Sequence, residues 1–349
     1  MPDQSDMSLE PLRARFDRIA RRRGRLGAPQ VLLRAPGVEF TYGDQSTPFH
    51  AASIGKLATG AIVLQLARGE AFGLDTGIDA LLPAREIAGL FAPGSRLPTV
   101  LELLRHTSGA ADYFEGDRGR RNGLVRVVAA QPDRVWTPAE MLDFAREHHR
   151  PVGVPGERFR YSDTGYVLLG RLIEEVGGAA YHEAVRDRII EPLGLERTFL
   201  PGLTSPARGE DRLAPCYVGR DDLSASGALS CGWAGGGIAA TPADLIAFSE
   251  ALHGGRLVTP RELAIMTDVR SRVRSGIHYG AAMMELRFDG FSPLLRGLPR
   301  PVGHLGSLAT YLFHDRARGA HLVMNFHARR EMSRAIRAAI TVESVLGSR

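Results

Sequence analysis

Ser53 and Lys56 are the pair of residues whose types and spacing could most directly support covalent chemistry. A hydroxyl is a weak nucleophile until a neighbouring group takes its proton, and a lysine amine can take that proton. Residues three positions apart lie on one side of a helix, so the amine would lie beside the hydroxyl. The simpler interpretation is an ordinary helix start, with Ser53 as its N-cap.

Lys56 is also the only lysine among the 44 lysine and arginine residues of the chain. Either cation serves on a protein surface, and this sequence uses arginine there. Lysine is required where the group is a compact ammonium or must lose its proton, because the guanidinium of arginine stays charged. The composition therefore singles out Lys56 as a candidate for a chemical role.

Two further segments follow Lys56 with the residue types of an acyl-transfer site, Tyr161-Ser162-Asp163 and Gly303-His304-Leu305-Gly306-Ser307. Together with Ser53-Ile54-Gly55-Lys56, they resemble the Ser-x-x-Lys, Tyr-x-Asn and Lys/His-x-Gly motifs of one family. That family contains the class C β-lactamases, the penicillin-recognising D,D-peptidases and their esterase relatives. The resemblance runs from about residue 30 to 330 and includes the connecting segments 103–109, 161–166, 191–195 and 234–237.

The resemblance implies a role for each matching residue. Ser53 would be the nucleophile, Lys56 its proton acceptor, and Tyr161 would share in proton transfer to the leaving group or from the deacylating water. The backbone N–H groups of Ser53 and Ser307 would form the oxyanion hole. The expected substrate-binding residues are Asp163, His304 and Gly306, and Gly306 would leave the edge of its strand open to a substrate backbone.

Two residues depart from the β-lactamase pattern. Asp163 stands where those enzymes have asparagine, and an ionised carboxylate cannot donate an N–H to a substrate carbonyl. His304 stands where they have lysine, and it is a weaker, pH-dependent anchor for a substrate carboxylate. We therefore expect hydrolysis of small esters, possible action on amides, and a small-molecule substrate. The alternatives are β-lactamase or D-amino-acid peptidase or amidase activity, acyl transfer, and a binding module without catalysis.

The pattern of strands and helices indicates an α+β fold of the β-lactamase/D,D-peptidase type. Strand-like segments near both ends surround a mainly helical middle, and their short connections predict a largely antiparallel sheet. Residues 1–52 and 230–349 are predicted to form the sheet domain with terminal helices. Residues 53–229 are predicted to form a helical lobe, with the active-site cleft between the two.

Composition limits the other possible functions. The formal charge of +5 permits acidic partners, and seven arginines between residues 13 and 25 give the predicted first helix a basic face. No nucleic-acid motif accompanies that face, so we expect neither nucleic-acid nor membrane binding. Two cysteines, no metal-ligand motif and no apolar leader predict a cytoplasmic enzyme without metal or cofactor. The oligomeric state is left open.

Overall fold

The computed structural model describes residues 9–117, 120 and 122–348, apart from the side chain of Arg25. The α-helices are α1 (Glu10–Arg21), α2 (Lys56–Arg68), α3 (Ala84–Ile87), α4 (Val100–Leu104), α5 (Val125–Ala130), α6 (Pro138–His148), α7 (Asp163–Gly177), α8 (Tyr181–Val185), α9 (Glu191–Leu193), α10 (Trp233–Gly236), α11 (Pro242–His253), α12 (Pro260–Met266) and α13 (Met332–Gly347). The strands are β1 (Gln30–Ala35), β2 (Val38–Tyr42), β3 (Phe49–His50), β4 (Tyr217–Val218), β5 (Asp221–Asp222), β6 (Ala239–Ala240), β7 (Ser271–Arg274), β8 (Ile277–Tyr279), β9 (Met284–Leu286), β10 (Val302–Gly306), β11 (Thr310–Asp315) and β12 (Ala320–Asn325).

An eight-stranded sheet dominates the fold, with its strands in the order β2-β1-β12-β11-β10-β9-β8-β7. Each neighbouring pair is antiparallel. Side chains alternate across it: Leu312 joins the core shared with the helical segment, whereas Tyr311 and Phe313 pack in a second core with Phe16 of α1 and Val342 of α13. The predicted antiparallel sheet flanked by helices is confirmed.

The segment between β2 and β7 is mainly helical. It contains α2 to α12, the β4–β5 pair, and the short pairing of β3 with β6. Helix α7 is its central element and packs against α2, α4 and α10. Leu168 of α7 and Leu312 of the sheet belong to one continuous core, and the division into two lobes with a cleft between them stays a prediction.

The predicted basic first helix is present as α1. It buries Leu12, Phe16 and Ile19 and leaves most of its described arginines on the outside. The prediction of no apolar leader rests on the acidic, polar N-terminus. Most of that segment lies in residues 1–8, outside the described residues. Across the described part of the chain, none of the helices combines the length and apolar character needed to cross a bilayer.

Two local features differ from the sequence-based expectation. The predicted apolar helix from Ser53 is divided: residues Ala52–Gly55 form a 3₁₀ turn, and α2 begins at Lys56. In addition, β7 and β8 form a hairpin that the sequence analysis does not predict, because alternating arginines on β7 hide the apolar pattern of an edge strand. The 3₁₀ turn still brings residues three apart to one side, so the Ser53–Lys56 pairing survives.

The sheet has no space for a side chain at Gly303. A Cβ at this position would lie 1.9 Å from the carbonyl oxygen of Leu312 on β11. We predict that Gly303→Ala lowers the free energy of unfolding by about 2 kcal/mol, since overpacking of this kind typically costs about 1–3 kcal/mol. Urea denaturation would measure the change. Gly177→Ala, where no atom lies within 4 Å of the new Cβ, is the matched control; equal destabilisation by both would contradict this packing argument.

Candidate active site

Ser53 lies in the 3₁₀ turn directly before α2, and the backbone around it is unusual. Ala52 has φ +52°, a left-handed conformation that costs a residue other than glycine on the order of 1–3 kcal/mol. The turn is held by two contacts: Thr310 Oγ1 donates to the carbonyl of Ala51 at 2.8 Å, and Ala52 N–H donates to His50 Nδ1 at 3.2 Å. The surrounding structure therefore fixes the conformation of the residue that precedes the candidate nucleophile.

Glycines allow neighbouring backbone to approach the same turn. A Cβ on Gly236 would lie 2.7 Å from the carbonyl carbon and oxygen of Ala52, and a Cβ on Gly306 would lie 2.6 Å from the carbonyl oxygen of Ala51. The glycine run at 235–237 thus packs directly beside Ser53. The absence of side chains at Gly236, the last residue of α10, and at Gly306, the last residue of β10, permits this close contact.

Lys56 is fully buried, and its ammonium group has three acceptors around it. Nζ lies 3.2 Å from Ser53 Oγ and makes two closer contacts, with the carboxylate of Asp163 and the carbonyl oxygen of Gly235. An ammonium has three N–H donors, and each acceptor can take one. The arrangement of the free site therefore fits a protonated Lys56 directed at the Ser53 hydroxyl.

Aromatic rings enclose the other side of Lys56. Nζ is 5.0 Å from the centre of the Tyr161 ring and 5.1 Å from that of Tyr166, within the range of cation–π attraction. Burial raises the pKa of Tyr161 well above its usual range and the charge of Asp163 raises it further, while a hydrogen bond with Ser53 lowers it. The structure thus brings Ser53, Lys56 and Tyr161 together, with Tyr161 as a neutral phenol.

Asp163 is the first residue of α7, after the N-cap Ser162. The sequence analysis expects this residue to meet the substrate, and it does line the pocket in front of Ser53. One of its carboxylate oxygens, however, is occupied by Lys56. The side chains of Lys56 and Asp163 are 0% and 10% exposed, so this is a buried ion pair. Asp163 therefore balances the charge of Lys56 and also forms part of the pocket wall.

Asp112 is a buried carboxylate that the sequence analysis does not identify. It accepts N–H groups from Asp163, Phe114 and Glu115 at 3.1–3.2 Å. Burial raises its pKa to about 7, and the neighbouring Asp163 adds to the rise. Asp112 and Asp163 are thus neighbouring carboxylates in the buried part of the site. Since Asp112 follows Ala110-Ala111 in an irregular segment, no local pattern distinguishes it from a surface turn.

The structure corrects the expectation for His304. Its side chain is 0% exposed; Nδ1 lies 2.6 Å from the carbonyl oxygen of Leu305 and Nε2 lies 3.2 Å from the Tyr279 hydroxyl. Burial lowers its pKa to about 3, and the charge of Lys56 contributes. A buried neutral imidazole cannot anchor a substrate carboxylate or supply a second positive charge to Tyr161.

Gly306 lies at the end of β10, an inner strand of the sheet. This strand pairs with β11 along its length, including Gly306 with Thr310, whereas its described pairs with β9 are at Val302 and Gly303. Residues 304–306 therefore have no described ladder partner on the β9 side. Gly306 permits close packing against the nucleophile turn, and its role in leaving this edge open to a substrate backbone stays a prediction.

A pocket of about 570 Å³ opens in front of Ser53. Ser307, the second predicted oxyanion residue, lines it together with Ser53 and Asp163. Both apolar and charged side chains line this pocket. The apolar group includes Tyr113, Val128, Leu223, Leu229, Cys231 and Leu308. The charged group includes Glu115, Arg120, Arg126, Asp221 and Arg329.

The comparisons with known proteins agree with this geometry. The Beta-lactamase family model matches residues 34–346, and the chain belongs to the Beta-lactamase family. Penicillin-binding protein 4 of Amycolatopsis lactamdurans is 34% identical over 176 residues, which cover 49% of this chain and 40% of that protein. The chain thus matches less than half of the length of this relative.

Solved structures of similar proteins share the fold. A D-stereospecific amidohydrolase from Streptomyces sp. has 26% identity and a TM-score of 0.72, with 89% of this chain and 92% of that chain covered. EstCE1, described as a hydrolase with promiscuous acyltransferase activity, has 18% identity and a TM-score of 0.77, with 98% and 99% covered. The relatives of this chain are therefore hydrolases of the serine β-lactamase fold.

The raised pKa of Asp112 predicts how stability depends on pH. An unfolded aspartate titrates near pH 4, so between about pH 4 and pH 7 the folded state holds a proton that the unfolded state has lost. The wild type therefore loses the contribution of this group as the pH rises through about 7. We predict that the melting temperature of Asp112→Asn, relative to wild type, rises from pH 4 to pH 7 and then levels off.

Differential scanning calorimetry across this pH range would measure the difference. Asp133→Asn, at an exposed position, is the control and should give a difference that is nearly independent of pH. A flat profile for Asp112→Asn as well would mean that Asp112 is ionised at neutral pH in the folded protein.

Proposed function

We propose that this protein is a serine hydrolase that forms an acyl-enzyme on Ser53 and acts on small esters. The observation that carries the proposal is the approach of Lys56 Nζ to Ser53 Oγ at 3.2 Å, at the wall of an open pocket. A nucleophile beside a base that a third group orients is the general signature of covalent acyl transfer. Here Asp163 is the orienting group.

Asp163 gives the proton a route away from Lys56. An ammonium cannot accept a proton, so Lys56 first transfers one to the adjacent Asp163 carboxylate. The resulting amine takes the proton of Ser53 while Oγ bonds to the ester carbonyl carbon. When the tetrahedral intermediate collapses, the alcohol leaves with the proton held by Lys56, either directly or through the Tyr161 hydroxyl, which Lys56 then reprotonates. The Lys56 amine next takes a proton from the water that attacks the acyl-enzyme and returns it to Ser53 Oγ as the acid is released, and Asp163 finally returns its proton to Lys56.

The backbone N–H groups of Ser53 and Ser307 are proposed as the oxyanion hole. Both residues line the pocket, one from the nucleophile turn and one from the end of β10. The close packing that Gly306 allows sets the separation of these two backbone segments. Donors that are fixed before the reaction stabilise the developing charge without reorganising.

The preference for esters follows from the groups that face the pocket. His304 is buried and neutral, so it supplies no cation for the carboxylate that penicillins and D,D-peptides carry. Asp163 accepts a hydrogen bond from Lys56 and, when ionised, donates none to a substrate amide. An ester needs neither contact, and its alkoxide leaving group is easier to expel than an amine.

A second candidate is the hydrolysis of D-amino-acid amides. It is favoured by the similarity to the Streptomyces amidohydrolase, which covers 89% of this chain. A substrate ammonium would find a counter-charge in the Asp163 carboxylate, which lines the pocket. Acyl transfer would use the same acyl-enzyme with an alcohol or amine in place of water. A substrate panel with added acceptors separates these possibilities.

The first test compares p-nitrophenyl esters of short and medium chain length with cephalosporin-type lactams and D- and L-phenylalanine amides. We predict the highest kcat/KM for the esters. Ser53→Ala should lower it by about 10³-fold or more, since the covalent step is lost. Lys56→Arg should lower it by about 10²-fold or more, because a guanidinium cannot serve as the base.

Circular dichroism and melting temperatures would confirm that both variants fold. Unchanged ester turnover by Ser53→Ala would disprove the acyl-enzyme. Turnover of amides above esters by the wild type would favour the second candidate. Retained activity in Lys56→Arg would show that another group accepts the proton.

The Asp163 carboxylate leads to a separate prediction. In the wild type the internal proton transfer needs only an ionised Asp163, whereas in Asp163→Asn Lys56 must first lose its proton to solvent, and an amine does so at higher pH than a carboxylic acid. Asp163→Asn should therefore move the acid limb of the kcat/KM profile for an ester to higher pH. Asparagine also supplies an N–H donor, so covalent labelling by a penicillin should increase relative to wild type. An acid limb at the same pH in both proteins would show that Asp163 does not govern the charge of Lys56.

A further inference from the structure

His106 is a buried histidine next to the active site that the functions above do not use. It directly follows Arg105, the C-cap of α4, and begins the segment His106-Thr107-Ser108-Gly109. Its side chain is 1% exposed, and its backbone has φ +57°. A left-handed conformation at a buried residue persists only where surrounding contacts enforce it, and such residues cluster at functional sites.

His106 accepts hydrogen bonds from the residues on both sides of Tyr161, the candidate catalytic tyrosine. Its carbonyl oxygen accepts the N–H of Arg160 at 2.8 Å, and its Nδ1 accepts the N–H of Ser162 at 3.1 Å. The residues on both sides of Tyr161 are therefore bound to one histidine. Because Ser162 is also the N-cap of α7, the same contact fixes the start of the helix that carries Asp163.

The imidazole ring also supports the aromatic walls around Lys56. It lies 4.2 Å from the ring centre of Tyr161 and 5.0 Å from that of Tyr166. Those are the two rings that flank Lys56 Nζ at 5.0 and 5.1 Å. His106 thus packs against both rings. The centre of its imidazole ring also lies 4.7 Å from that of the Tyr279 ring.

The hydrogen bonds require one protonation state of His106. Nδ1 accepts the Ser162 N–H, so the ring proton is on Nε2, which has no hydrogen-bond partner among the described residues. Burial lowers the pKa of His106 well below its usual value, and Lys56 and His304 lower it further. The residue therefore stays neutral and keeps its acceptor throughout the pH range in which the protein would work.

We propose that His106 is a positioning residue that fixes Tyr161 and Asp163 against Lys56 by binding the N–H groups on both sides of Tyr161 and packing behind its ring. It does not touch the substrate. The inference rests on the proposed acyl-enzyme function. In this account, the segment 106–109 aligns the proton-transfer groups in addition to its structural part in the fold.

Three variants separate this role from a merely structural one. His106→Gly keeps the left-handed backbone but removes the acceptor and the ring, whereas His106→Asn tolerates the backbone and offers an amide oxygen near the position of Nδ1. His327→Gly is the matched control, because His327 is also a buried histidine with a left-handed backbone, at φ +63°. All three are compared with wild type in melting temperature, ester kinetics and the rate of Ser53 labelling by a fluorophosphonate.

We expect His106→Gly to lower kcat and the labelling rate by about 10- to 100-fold with little change in KM, since small misplacement of reacting groups has effects of this size. Its pH profile should also shift. His106→Asn should recover labelling to within about threefold of wild type, and His327→Gly should label like wild type even where its melting temperature falls.

The outcomes are distinguishable. Normal labelling by a folded His106→Gly overturns the inference and leaves the acyl-enzyme intact. Equal loss in His106→Gly and His327→Gly, in proportion to lost stability, also overturns it, as does failure of His106→Asn to recover any activity. If wild type itself shows no labelling of Ser53, it is the proposed function that fails.

Discussion

The buried contact between Lys56 and Asp163 is the interaction on which the organisation of the site depends. Two charges withdrawn from water are tolerated only when each is well paired, and removal of one partner from such a pair typically costs about 3–5 kcal/mol. Lys56 has its three acceptors and two ring faces, while Asp163 lies at the N-terminus of α7, where the helix dipole favours a negative charge. The nucleophile turn, the glycine run and α7 therefore have to meet at one point.

Close backbone packing supplies the rest of the arrangement. The left-handed Ala52, the glycines at 236 and 306, and the left-handed His106 all lie within or beside the elements that carry Ser53, Tyr161 and Ser307. Each is a local departure from regular structure that the large antiparallel sheet and the helical core hold in place. Some of the left-handed residues of the fold thus lie next to the candidate reacting groups, while others, such as His327, lie elsewhere.

Local sequence features predict much of this molecule because their causes are local. The strands β1 and β2, the basic helix α1 and the Ser53–Lys56 spacing each depend on residues close together in the chain. The burial of His304, the contact of Asp112 with Asp163 and the packing of His106 against the rings around Lys56 depend on contacts between distant segments. A histidine on a strand has the same appearance in a sequence whether it faces substrate or a tyrosine hydroxyl, which is why the anchor was predicted wrongly.

The central claim is that turnover passes through a covalent intermediate on Ser53. Intact-protein mass spectrometry of wild type, quenched in acid during hydrolysis of a slowly deacylated ester, tests it most directly. The account predicts a mass increase equal to one acyl group, located by peptide mapping to the segment that contains Ser53 and removed as the ester is exhausted. Steady turnover with no adduct, or an adduct on another residue that forms and decays at the rate of turnover, would contradict it.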